Sequence, residues 1–115
     1  AHLSRMRQLT YLGLRGNKVT DKGVLHIGKL VKLEGLYLGE TRVTDAGVRA
    51  LLELKGLKKL WLHDLPITAE SVVTLSQMKN LQELHVYATK ISAGGAKSLQ
   101  SALPKCRVIH ESLTN

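Results

Sequence analysis

The sequence of 115 residues contains no phenylalanine, a single cysteine, and nine acidic residues against 17 lysines and arginines. Each scarcity excludes something. One cysteine rules out an internal disulfide, and a lone thiol fits a reducing compartment such as the cytoplasm. That thiol, Cys106, reads as a small buried apolar residue rather than as a nucleophile. No stretch approaches the roughly 18 apolar residues of a membrane-spanning helix, and no basic leader followed by an apolar run marks a signal peptide. Without phenylalanine, the core must be built from aliphatic side chains. The shortage of acid leaves a net charge of +8, which suits an acidic partner.

What is abundant is leucine, and it is periodic. Written in rows of 24, the chain aligns Leu9, Leu33, Leu57 and Leu81, then Leu12, Leu36, Leu60 and Leu84, then Leu14, Leu38, Leu62 and Val86. Val19, Val43, Ile67 and Ile91 form a further column, followed directly by Thr20, Thr44, Thr68 and Ser92. The second half of each row aligns Val24, Val48, Val72 and Ala96, then Ile27, Leu51, Leu75 and Leu99. The last two leucines of each L-x-x-L-x-L segment are two residues apart, so they share one face of a short strand. Thr-Asp-x-Gly, as in Thr20–Gly23 and Thr44–Gly47, predicts a helix start. The threonine oxygen caps free amides, and the aspartate meets the positive end of the helix dipole. Val48, Leu51, Leu52 and Leu54 make a helical stripe that Lys55-Gly56 should end. A row cannot bury a core alone, but stacked rows can.

These columns resemble the leucine-rich repeat family over nearly the whole chain. The V-T-D-x-G-V version, Val19–Val24 and Val43–Val48, is similar to tandem arrays of large bacterial proteins. The resemblance implies an α/β right-handed solenoid, with a parallel β-sheet on the concave face and α-helices on the convex face. It also implies a protein-binding role with no catalytic residues and no cofactor of its own. Row three departs from the pattern, with Asp64-Leu-Pro66 and Ala69-Glu-Ser71, and a less regular turn is expected there. Residues 1–8 read as the end of a helix from a truncated preceding repeat, because Leu3 and Met6 fall in helix columns. Four repeats then span 9–105, and 106–115 form a terminal strand and polar tail. On this reading β-strand Leu9–Leu14 is an open sheet edge, and upstream repeats or domains of a longer chain are expected to cover it.

The strand residues between the core leucines should line the exposed sheet face. One column is Tyr11, Gly35, Lys59, Glu83 and Val108; the next is Gly13, Tyr37, Trp61, His85 and His110; the third is Arg15, Gly39, His63 and Tyr87. All three tyrosines and the one tryptophan fall on this face, where solubility alone would favour small or charged residues. Aromatics are frequent anchors of protein interfaces. Tyr37, Trp61, His85 and Tyr87 are therefore expected to anchor a protein or peptide, with Tyr11, Arg15, Lys59, His63, Glu83 and His110 around them. The alternative is that the rings merely cover one another across the sheet. His63, His85 and His110 near Asp64 bring zinc to mind, but dispersed imidazoles on an open sheet read as hydrogen-bonding contacts, and no metal is expected. No nucleophile is paired with a base, so no enzyme is expected either. Lys18, Arg42 and Lys90 lie after the strands, Arg7, Lys55 and Lys79 before them, and others on the helices. The bases ring the solenoid rather than forming a stripe, which argues against nucleic acid. A structural cap or spacer of a larger repeat protein is the second reading.

Overall fold

The computed structural model describes residues 9–110; the expected helix end at 1–8 and the tail at 111–115 lie outside the described residues. Five short strands alternate with helices: β1 (Tyr11–Gly13), α1 (Asp21–Ile27), β2 (Gly35–Tyr37), α2 (Asp45–Ala50), β3 (Lys59–Trp61), α3 (Ala69–Leu75), β4 (Glu83–His85), α4 (Ala93–Ala102) and β5 (Arg107–Ile109). A 3-10 turn, Leu51–Glu53, continues α2. The strands form one parallel sheet in the order β1-β2-β3-β4-β5. Leu12, Leu36, Leu60 and Leu84 pair in register. Because alternate strand side chains point to opposite faces, these leucines face the helices and their neighbours face out.

The columns expected from the periodicity are the core. Leu36, Leu60 and Leu84 are fully buried, as are Leu38, Leu62 and Val86 below them. Val48, Leu51, Leu75 and Leu99 close the helical side. Fully burying one such side chain contributes about 1.5–3 kcal/mol relative to leaving it exposed. In the first row, Leu9, Leu12, Leu14 and Val19 are only partly buried. The helical stripe is shorter than its apolar pattern, since α2 stops at Ala50 and Leu54 follows the 3-10 turn.

One local expectation is corrected and another is met in part. Gly56 does not adopt a left-handed conformation; positive φ falls instead three residues after the ends of β1, β2, β3 and β4, at Gly16, Glu40, Asp64 and Ala88. The turn in row three keeps the left-handed residue and its amide bond but loses another, because Pro66 has no N–H where Arg42 and Lys90 donate to the Val19 and Ile67 carbonyls. Asp64 donates its amide to Tyr87, as Glu40 does to His63 and Gly16 to Gly39. Thr41 and Thr89 close their turns through hydroxyl bonds to the carbonyls of Leu38 and Val86, each 2.7 Å, and Leu65 fills the same place by burial. Left-handed backbone is costly for alanine and free for glycine. Ala88→Gly is therefore expected to raise unfolding stability by roughly 0.5–1 kcal/mol, measured by urea titration.

The Thr-Asp motif works across repeats rather than within one. The Thr20 and Thr44 side chains make no cap hydrogen bond. Instead the Asp21 carboxylate accepts the Thr44 amide at 2.7 Å and the Thr44 hydroxyl. Asp45 accepts the Thr68 amide at 2.8 Å and the Thr68 hydroxyl at 2.7 Å. Glycine two residues on makes room for this carboxylate, because a Cβ on Gly47 would lie 2.4 Å from Asp21 Oδ1. Ser71 occupies that place in row three, fully buried, and its hydroxyl donates to Asp45. With Ala69 in place of aspartate the ladder ends, and Ser92 caps its own helix by accepting the Gly95 amide at 3.0 Å.

At the C-terminal end, row four is one residue long, as expected, but β5 does not inherit the shift. Leu103 and Cys106 are buried three residues apart, as Met78 and Leu81 are. The strand then starts one residue early, so Arg107 pairs with Glu83, Val108 with Leu84 and Ile109 with His85. The Gln100 side chain holds this wide turn: Nε2 donates to the carbonyls of Leu103 and Cys106 (3.2 and 2.7 Å), and Oε1 accepts the Val108 amide at 3.3 Å.

Candidate functional site

The outer face of the sheet carries a continuous run of rings. Tyr37 and Trp61, on paired strands, meet edge to face with centroids 4.3 Å apart, and Trp61 meets His85 the same way at 4.7 Å. His85 lies 6.1 Å from Tyr87, again edge-on, and Tyr87 stacks on His63 at 4.8 Å with 17° between planes. Edge-to-face pairs at these separations contribute about 0.5–1.5 kcal/mol each beyond area burial. One carboxylate fixes the centre of the run: Glu83 Oε2 accepts Trp61 Nε1 at 3.1 Å and lies 3.2 Å from His85 Nε2. Burial alone would raise the Glu83 carboxyl. The hydrogen bonds from His85 and Trp61, with the charges of His85 and Lys59, outweigh it and hold the group below the usual carboxylate range.

Glycines let two rings, Tyr11 and His63, lie close on the neighbouring repeat. Tyr11, 50% exposed, leans over Gly35, whose Cβ would sit 2.3 Å from the ring. His63 covers Gly39, where a Cβ would come within 2.1 Å of Cε1. Between Gly39 and Tyr87, His63 is only 3% exposed, and neither ring nitrogen has a hydrogen-bond partner among the described residues. This corrects the expectation that His63 is an accessible contact residue, because the glycine beside it opens a slot that the ring fills. Burial pushes the imidazole below its ordinary value; Asp64 and Glu40 pull the other way, and Arg15 and His85 add to the lowering.

Charged groups border the rings. Arg15, in the turn after β1, pairs with Glu40 in the turn after β2 through Nε and Oε2. The hydrogen bond and the charge of that pair raise the guanidinium and lower the carboxyl. Lys59 and Arg107 are exposed on either side of Glu83, and among the described residues neither is in an ion pair.

The β5 register changes the membership of two columns. Val108 leaves the exposed face for the core column of Leu84, and Arg107 takes its place. His110, expected beside His85, is replaced there by Ile109 and instead places Nε2 2.8 Å from the Ile91 carbonyl. Counting on by 24 from Leu84 would have found Val108; shifting the strand with Cys106 lost it. The three imidazoles therefore do not converge, and among the described residues no group of three or more His, Cys, Asp or Glu could hold a metal ion. Cys106 is 3% exposed, and burial, with the Glu83 charge, pushes its thiol up to about 11. It stays protonated at neutral pH and is a poor nucleophile. No helix of the described residues is long and apolar enough to cross a membrane.

Residues 6–28 match the family model for the leucine-rich repeat. The fold is similar to that of leiomodin-1 actin-binding site 2, with a TM-score of 0.73 and 15% identity over 96% of this chain and 78% of that one. The Chaetomium Mex67:Mtr2 structure gives 0.71 and 17%, covering 99% of this chain and 88% of that one. A leucine-rich repeat protein of Leptospira interrogans gives 0.61 and 24%, covering 92% of this chain but 32% of its own. At these identities the likeness is one of fold. No curated protein matches the sequence.

Proposed function

We propose that this leucine-rich repeat solenoid is a non-enzymatic recognition module that binds a protein or peptide on its concave sheet face. The observation that carries this reading is the unbroken run of Tyr37, Trp61, His85 and Tyr87 rings, pinned at its centre by Glu83. The rings are half-buried rather than covered, and their geometry is set before any partner arrives. A pre-formed surface loses little conformational entropy on docking, so more of the contact energy appears as affinity. Lys59 and Arg107 beside the rings favour a partner with acidic side chains. By their names, two of the structurally similar proteins are an actin-binding region and a two-protein assembly, which agrees with a role in protein contact.

The test is an affinity capture from cell lysate, comparing the wild-type chain with a Tyr37/Trp61/Tyr87→Ser variant. Circular dichroism checks that both are folded. A partner held only by the wild-type chain supports the concave site; a partner held equally by both removes it.

A second reading is a cap or spacer whose N-terminal face docks on preceding repeats. The observation favouring it is the partial burial of Leu9, Leu12, Leu14 and Val19, where the equivalent residues of later repeats are at most 3% exposed. On this reading concave-face substitutions are silent, and the isolated chain associates through β1.

A further inference from the structure

Beneath the half-buried rings lies one group that the recognition reading leaves unexplained. His63 is 3% exposed, both of its nitrogens lack partners among the described residues, and it is held between the Gly39 backbone and the Tyr87 ring. A neutral imidazole tolerates this slot because stacking on Tyr87 and the close approach to Gly39 offset one unmade donor and one unmade acceptor bond. An imidazolium does not. It carries two N–H donors and a charge, with no acceptor on either nitrogen, and a buried unpaired charge costs several times more than a buried neutral polar group.

We propose that His63 is a proton-operated latch of the concave face: neutral, it lies under Tyr87 and keeps that ring in the binding arrangement, and protonated, it leaves the slot and releases the partner. This rests on the concave-face reading and names its regulation. The charged groups around the slot give the second position. Arg15 in the turn after β1 and His85 on β4 oppose a proton on His63, whereas Glu40 in the turn after β2 and Asp64, its own chain neighbour, favour one. Both carboxylates belong to exposed residues. An imidazolium that swings outward meets them, competing with Arg15 for Glu40. Tyr87 stacks on one side of His63 and touches His85 on the other, so its displacement breaks the ring run at its end.

The direction with pH follows. A group that resists protonation in the closed arrangement is protonated first in the open one. The closed arrangement is therefore fully kept above the ordinary imidazole value of about 6.5 and is progressively lost as pH falls below it. Stacking alone would be insensitive to pH in this range.

The experiment is proton–carbon NMR of the whole chain, titrated from neutral pH down to about pH 5 with no partner present. The His63 Cε1–H signal should titrate below the ordinary imidazole midpoint, and the Tyr87 ring signals should move with the same midpoint. In His63→Phe, which fills the slot with a ring that cannot be protonated, the Tyr87 movement should vanish. If His63→Phe fails to fold, Tyr87→Ala serves: it uncovers the slot, and the His63 midpoint should rise towards the ordinary value. An ordinary midpoint in the wild-type chain would overturn the latch. So would Tyr87 signals that do not follow His63, or that shift equally in His63→Phe. Because no partner is present, failure here leaves the concave-site reading to its own capture experiment.

Discussion

Replacing Trp61 with alanine is expected to weaken partner binding by about 30-fold or more while the chain stays folded. Truncating a central aromatic anchor typically costs about 2 kcal/mol or more of binding, which is that fold-change. Trp61 occupies the middle of the ring run, touching Tyr37 and His85 and donating to Glu83. Its removal takes away contact area and also frees both neighbours and the carboxylate. Folding survives because the core lies on the other face: Leu60 and Leu62, on either side of Trp61, are fully buried. The loss of two edge-to-face contacts should still lower unfolding stability by about 1–3 kcal/mol, so affinity must be compared at a pH and temperature where both chains are fully folded. Calorimetric or surface-binding titration with the captured partner gives the number. Unchanged affinity would mean that the rings only cover the sheet, and unfolding of the variant would mean that Trp61 is part of what holds the sheet together.

The largest stability effect is expected at Asp45, the first residue of α2 rather than a residue of the sheet face. Its carboxylate accepts three hydrogen bonds from the next repeat, from the Thr68 amide, the Thr68 hydroxyl and the Ser71 hydroxyl. Burial opposes its ionisation, yet the Ser71 hydroxyl and the two Thr68 donors prevail and hold it below the usual range. An asparagine side chain in its place would keep one acceptor oxygen and turn an amide donor towards the remaining donors. Since a hydrogen bond to a charged group contributes about 1.5–3 kcal/mol, Asp45→Asn should cost roughly 3 kcal/mol, read by urea denaturation. A depressed carboxyl pKa also sets a pH signature. Its stabilisation is fully present above the unfolded value of about 3.9 and disappears as pH falls through the lower folded value. The acid limb of the stability curve should therefore be shallower in Asp45→Asn than in the wild-type chain. Equal slopes would show that the carboxylate does not carry the link between repeats.

These two residues were legible to different degrees. Trp61 can be placed on the exposed face from alternation alone, because its neighbours Leu60 and Leu62 belong to core columns. Asp45 is also conspicuous, but its position after Thr44 suggests a helix-dipole role within one repeat. Its actual partners lie 23 and 26 residues further on. The oddity of Ser71, where other rows carry glycine, becomes intelligible only when the Asp45 carboxylate is seen facing it.

By itself the sequence determined the architecture. A column of aliphatic residues repeating every 24 positions is buried when successive rows stack. Spacing within a row gives one strand and one helix, and alternation puts the aromatic residues on the outer face. The parallel sheet is what the resemblance to leucine-rich repeats implies. Three matters were decided only by the tertiary structure. One is the register of β5, where the extra residue of row four is absorbed in a turn held by Gln100, so that Arg107 rather than Val108 faces outward. Another is the Thr-Asp ladder, which depends on which way a carboxylate points between repeats. The last is the burial of His63, which needs Gly39 just after β2 on one side and Tyr87 just after β4 on the other. Periodicity records which face a residue occupies, because that is set by its own backbone. It does not record what the side chain meets there, because that is set by residues a full repeat away.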